Sequence, residues 1–291
     1  MPVRWLAMVT SRRQLWTARL AVGAAITSGA LTLASAVAGR SAMARSTGLA
    51  ACWACWAVLL VAVLTPAVAS LTALRLLIPL HLAGVGVMWV AGSEVSRAVP
   101  AVLIALVSLA AVFSADTGQA FVQASAYGHE QRFPLRAPVP YLAPVGLAWL
   151  AWAALGVSAV LVLGGGRGLA GGILVAGWAG LSWFLWPRWH RFAQRWLVRV
   201  PAGLVVHDPV MLGETAMIPT GNVRAAALAR EGTEALDLSG PASGHLVEVR
   251  VGEMVTMLVR RGSAAASAVH VQSFLVAPSR PGAALSAITR H

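Results

Sequence analysis

Residues 141–163 read YLAPVGLAWLAWAALGVSAVLVL, with no charged side chain anywhere in the run. At 1.5 Å per residue a helix of this length reaches about 34 Å, enough to cross a hydrocarbon core roughly 30 Å thick. Working outward and cutting at charges, five more runs of the same kind appear, near residues 20–39, 48–69, 74–93, 98–116 and 168–186. The second and third meet around Ser70–Arg75, which reads as a tight turn. Arg75, Glu94 and Asp116 then fall near span ends, where long side chains snorkel to the headgroups. The chain of 291 residues is 58% hydrophobic and only 11% charged, against about 25% for a soluble domain. That excludes an ordinary cytosolic enzyme, a disordered tail and a disulfide-stapled secreted module. The expectation is a membrane all-α bundle of six spans over residues 1–187, followed by a small β-rich domain over residues 188–291.

The basic residues are all arginine and the formal charge is +12. With the N-terminus inside, eleven arginines of the span-flanking segments lie on the inner side and four on the outer. That bias predicts a multi-pass plasma-membrane protein with its N-terminus and C-terminal domain cytoplasmic. Ala34-Ser35-Ala36 also resembles a small-residue cleavage site. Cleavage there would leave five spans starting outside and the same cytoplasmic domain. Positive charge at a membrane surface explains the basicity without nucleic acid, for which no recognition motif is present.

The junction after the last run, Leu185–Arg199, mixes aromatics with arginines. Read as a helix, it puts Arg188, Arg191, Arg195 and Arg199 on one face and Trp189, Phe192 and Trp196 beside them. Rings at the interface and guanidiniums on phosphates suit an anionic headgroup, so Arg188, Trp189, Arg191, Arg195, Trp196 and Arg199 form a candidate membrane-surface site. A generic positive-inside anchor is the plainer reading of the same residues.

Beyond the junction the period becomes two. Trp196–Val200 and Gly203–His207 read as strands joined by Pro201-Ala202. Met217-Ile218, Val223–Leu228, Ala235–Leu238, Leu246–Val251, Met254–Arg260 and Ala268–Val276 read as further strands, and residues 279–289 as a closing helix opened by proline. Three pieces, Val198–Val206, Ile218–Val223 and Phe274–Gly282 before that helix, resemble bacterial pleckstrin-homology-like domains, which often follow membrane spans. The likeness covers about a third of the chain, and the insert Asp208–Glu214 departs from a tight hairpin. The whole chain resembles polytopic membrane proteins of actinobacteria. The domain resemblance implies a PH-like barrel or sandwich with an interaction or scaffold role, and neither resemblance brings a catalytic residue.

Chemistry is sparse. Cys52-Trp-Ala-Cys55 is a C-x-x-C within the second span, a redox candidate or two small packing residues. His129-Glu130 lacks the second histidine of H-E-x-x-H, and the remaining histidines have no metal spacing, so neither metal nor cofactor is expected. Gly164–Gly172 lacks a G-K-[ST] and is not a phosphate loop. His81 inside the third run and Asp116 at the end of the fourth are the intramembrane polar candidates, with packing the plain role for His81. The longer connection Asp116–Pro140 offers His129, Glu130, Arg132 and Arg136 as contacts for the C-terminal domain, a headgroup or a partner, or else it is a solvated connector. The leading expectation is a non-enzymatic membrane scaffold or adaptor, with the bilayer and either an unidentified protein or a second copy as partners. A transporter or lipid-handling protein with a cavity near His81 and Asp116, and a redox protein using Cys52 and Cys55, are the alternatives.

Overall fold

The computed structural model describes residues 2–260 and 265–289, with side chains from Arg12 onward. Six helices are long and apolar enough to cross a membrane: α1 (Pro2–Ala36, of which the spanning part is Arg12–Ala36), α2 (Ala42–Leu64), α3 (Val68–Val90), α4 (Val95–Phe113), α6 (Val139–Gly164) and α7 (Gly168–Ala193). A short helix, α5 (Ala115–Ala124), follows α4. The expected fold class holds: a helical bundle and a β-rich domain closed by a C-terminal helix, α8 (Pro281–Thr289). The chain divides into two units. One holds residues 1–121 and 146–188, the other residues 122–145 and 189–291.

Within the first unit, α1 packs on α4, and α3 on both α2 and α4. The α1–α4 seam is made of small residues. Ala18, Val22 and Ala25 on α1, and Ala98, Ala101 and Ala105 on α4, are wholly buried. In hydrocarbon the apolar side chains gain nothing by leaving solvent, so close backbone approach and hydrogen bonds must hold helices together. Ser108 supplies one such bond, its hydroxyl donating to Ala21 O at 2.8 Å, and Thr32 donates to Arg97 O at 3.4 Å. α6 and α7 use aromatics instead. Trp152 donates to Ser182 Oγ at 2.7 Å and stacks on Trp178, 5.5 Å between centroids, above a glycine, Gly156. Leu169 and Trp183 on α7 stand 84% and 87% exposed, a distribution suited to lipid and not to water.

The expected turn at Ser70–Arg75 is displaced. α2 stops at Leu64 and α3 starts at Val68. Pro66 is the cause, because the residue before a proline is pushed out of the helical region. Thr65 sits at φ −109°, ψ 81°. The Ser70 hydroxyl then donates to Thr65 O at 2.6 Å. Cutting at charges also starts the second and fourth spans too late, since the helices run through Arg45 and Arg97, both exposed.

The second unit contains two four-stranded sheets. The first, in order β1-β2-β3-β4, comprises Gln131–Pro134, Trp196–Val200, Gly203–His207 and Ala216–Pro219. The second, in order β5-β7-β8-β6, comprises Val223–Leu228, Val247–Val259, Ser267–Val276 and Leu236–Asp237. Phe133, Leu197, Leu204 and Ile218 from one sheet meet Val247, Val249, Phe274 and Val276 from the other, with Ala284 and Ile288 of α8, in a single core.

Three sequence expectations are corrected here. Asp116–Pro140 is not a plain connector: it forms α5 and β1, and β1 pairs antiparallel with β2. Four residues alternating around a proline carry too little pattern to be read alone. The junction helix ends at Ala193, so Arg195 and Arg199 do not continue the face of Arg188 and Arg191. Period-two pairing on both sides of β2 overrides helix continuation. Leu246–Val251 and Met254–Arg260 are one strand, β7, whose register shifts between Arg250 and Val255. At the irregularity the Asn222 side chain completes the ladder, donating to Glu253 O at 3.0 Å and accepting from Glu253 N at 2.6 Å.

The alanine seam makes a direct prediction. Ala105→Leu forces α1 and α4 apart and lowers stability by roughly 1–3 kcal/mol, as overpacking does. An equivalent change at lipid-exposed Leu106, Leu106→Ile, leaves the melting temperature of the detergent-solubilised protein unchanged.

Candidate functional site

The most densely bonded point of the β-rich unit is a buried ion pair. Arg195 and Asp208 both have side chains 0% accessible. Arg195 Nε donates to both Asp208 oxygens at 2.9 Å, and Nη2 donates to Oδ2 at 2.7 Å. The remaining donors reach Arg136 O at 2.6 Å and Leu238 O at 3.3 Å. Asp208 Oδ1 also accepts from Val210 N and Met211 N, each at 3.0 Å. The pair thus ties the start of β2 to the chain after β1, the loop after β3 and the segment after β6. Removing one partner of such a pair strands a buried charge. Arg195 is therefore corrected from headgroup contact to internal tie. The sequence held one usable signal for it, an Asp-Pro turn opening the insert after β3, with an arginine at the head of an apolar strand.

Around this tie the outer face of β1–β2–β3 carries a stack. The Arg132 guanidinium lies 5.4 Å from the Trp196 ring centroid. Trp196 stacks on His207 at 5.0 Å and 23°. His207 Nδ1 and Thr215 Oγ1 share a hydrogen bond of 2.8 Å. Glu130 pairs with Arg132 at 2.8 Å. The Gln123 side chain braces the segment before β1, donating to Glu130 O at 2.8 Å and accepting from Arg132 N at 2.9 Å. Burial lowers the His207 pKa from its ordinary value; the Asp208 charge opposes this and the Arg132 charge adds to it.

The other sequence candidates fall as follows. Arg136 donates to His245 O, and Gly244, at φ +85°, leaves room for its guanidinium: a Cβ there would stand 3.0 Å from Nη1. His129 is exposed in the turn before β1. Arg132 is thus joined to β2 and Arg136 to the segment before β7. Arg188 is exposed and folds over the Phe184 ring at 3.5 Å, and Arg191 is exposed. Trp189 is buried at 7% exposure, which corrects its place in a headgroup-facing cluster. Arg199 is half-buried and donates to Gly203 O at 3.3 Å and Thr220 Oγ1 at 3.4 Å. Of the six junction residues, Arg188 and Arg191 are the exposed ones, and the Arg188 head is engaged with Phe184.

In the helical unit His81 is 5% exposed and accepts a hydrogen bond at Nδ1 from Trp56 Nε1 at 3.2 Å. Acceptance there puts the imidazole proton on Nε2. Gly29 packs against the ring so closely that a Cβ would stand 2.5 Å from Cε1. The ring is thus held between Trp56 and Gly29, with its Nε2 buried and without a hydrogen-bond partner. Asp116 lies in the first turn of α5 and accepts from Gln14 Nε2 at 3.3 Å. Cys52 and Cys55 are free thiols, half-buried on α2 beside Trp53 and Trp56. Among the described residues no three His, Cys, Asp or Glu side chains gather as a metal site.

Two measurements test this geometry. Arg195→Met or Asp208→Leu alone destabilises the β-rich unit by about 3–5 kcal/mol, whereas the double variant recovers most of the loss; thermal unfolding of all three against the wild type is the check. His207 is held neutral in the fold, so the unfolded chain takes up a proton first as pH falls through about 6.5. Stability is complete above that value and declines below it until the folded imidazole also protonates. Melting curves between about pH 7.5 and 5 show this slope in the wild type and a shallower one in His207→Gln, since the chain's other histidines remain.

No family model, no curated protein and no solved structure matches the chain.

Proposed function

We propose that this protein is a non-enzymatic plasma-membrane scaffold whose PH-like, cytoplasmic β-domain receives a partner strand at the free edge of β8. The carrying observation is that edge. β6 pairs with β8 only at Phe274 and Leu275, while β7 pairs along its other side from Ser267 to Val276. Ser267–Gln272 is thus paired on one side only among the described residues. It contains no Pro, Lys or Arg, and Ser267, Ala268, His270 and Gln272 are exposed. Soluble domains normally blunt such an edge with charge, proline or a cover, because unpaired N–H and C=O groups recruit another strand. An open groove of about 460 Å3 adjoins it, lined by Thr233, Glu234, Glu248, Arg250, Gln272 and Ser273.

Two further observations support the reading. β1 precedes α6 and β2 follows α7, yet they pair. Paired strands lie on one side of a bilayer, so an even number of crossings separates them, as a six-span count requires. The arginine bias favours the cytoplasm for that side. Two sheets around one core with a C-terminal helix support the PH-like reading, and the parallel two-residue strand β6 is its local departure.

Full-length protein extracted from native membranes is expected to carry a stoichiometric second chain, another copy or a different protein. Ala268→Pro releases it without lowering the melting temperature. A lone monomer, or a complex indifferent to Ala268→Pro and to Gln272→Lys, overturns the proposal.

A further inference from the structure

Arg75 is placed by the fold where the sequence did not put it. With α3 starting at Val68, Arg75 lies seven residues into the helix, about 10 Å along its axis. Its side chain nevertheless reaches the level of Phe113, the last residue of α4, so the guanidinium stands at the end of that span. The other arginines of the spanning helices have evident partners or surface positions. Arg19 donates to Val63 O and Leu64 O, both at 3.4 Å, and so caps α2. Arg97 pairs with Glu94 at 3.1 Å. Arg188 and Arg191 are exposed at the end of α7.

Arg75 differs from all of these. Among the described residues no carboxylate pairs with it, and its Nε is buried without a hydrogen-bond partner. Arg75 lies over the Phe113 ring, 5.7 Å from Cζ to the centroid. Space has been kept for the guanidinium on α5: a Cβ on Gly118 would stand 3.0 Å from Nη2. The nearest carboxylate in sequence to that glycine, Asp116, lies two positions earlier on the same helix. Two steps of 100° turn it to the opposite side of α5, where it accepts from Gln14 on α1. So the carboxylate that could neutralise Arg75 is committed elsewhere.

Arg75 is half-buried and its Nε is enclosed without a partner, so an anion at the guanidinium would satisfy a donor that the fold leaves unmet. The guanidinium fork matches a phosphate in two parallel hydrogen bonds. Basic pockets between spanning helices on the inner side take phospholipid head groups. We propose that Arg75, framed by Phe113 of α4 and Gly118 of α5, binds the phosphate of an anionic phospholipid. The ligand chemistry is a phosphoryl oxyanion, and the place of the guanidinium beside the end of α4 favours a lipid source. The site is independent of the β8 edge and of the partner proposed there.

The test uses full-length protein in mild detergent, with melting temperature read against added phosphatidylglycerol, phosphatidylcholine or inorganic phosphate, and native mass spectrometry counting retained lipid. Phosphatidylglycerol is expected to raise the melting temperature and to remain bound at one molecule per chain, with phosphatidylcholine at least tenfold weaker. Arg75→Gln abolishes both effects, Gly118→Val weakens them at least tenfold by crowding the guanidinium, and Arg191→Gln preserves them. An equal rise with inorganic phosphate alone supports the oxyanion site but assigns it to a soluble anion. If Arg75→Gln does not fold, the Gly118→Val and Arg191→Gln pair decides the question. An identical phosphatidylglycerol response in wild type, Gly118→Val and whichever Arg75 variant folds overturns the proposal, as does a wild type that binds neither lipid nor phosphate.

Discussion

The ion pair between Arg195 and Asp208 is the constraint on which the β-rich unit depends. Neither side chain touches solvent, and together they engage four separate stretches of chain. A buried pair of this kind is weak evidence for raw stability, because dehydrating two ions offsets much of their attraction. What it supplies is registration. The guanidinium can satisfy its donors only when the residues after β1, β3 and β6 converge on the start of β2. An apolar pair of similar volume would fill the space without specifying which segments meet there. The Arg132, Trp196 and His207 stack lies on the sheet whose position this tie sets.

The helical unit answers to a different solvent. There Leu169, Trp183 and other large side chains face outward, Leu59, Leu71, Leu74 and Ile78 fill the interior, and small residues line the α1–α4 seam. Gly29 against His81, Gly156 against Trp178 and the α1–α4 alanines follow the same logic: removing a side chain lets a ring or a backbone approach. Charge is handled as sparingly. Arg19 is neutralised by helix-end carbonyls, and Arg97 by a carboxylate one turn away.

Much of this architecture was legible in the residues. The six spans, the pairing of Trp196–Val200 with Gly203–His207 through Pro201-Ala202, and the closing helix follow from hydropathy, period and proline placement. The misreadings share a cause. Cutting spans at charged residues assumes that charge ends a helix, whereas Pro66 ended one and Arg45, Arg75 and Arg97 did not. Continuing α7 through Arg199 extrapolated a local period across a point where non-local pairing decides. β1 was invisible because four residues around a proline become a strand only when a neighbour over sixty positions later completes them. The Arg195 partner was hidden for the same reason, since ion pairing across loops leaves no periodic trace.

The origin of β1 has a consequence for biogenesis. Gln131–Pro134 is synthesised before α6 and α7, and its neighbour Trp196–Val200 after them. During translation the edge of the first sheet must wait while a helical hairpin is inserted. Should only one of the two helices insert, the two strands would emerge on opposite faces of the bilayer and the sheet could never close. Completion of the domain thereby reports that the preceding insertion succeeded, and a chain that fails the step exposes an unfinished core to the cell's proteases.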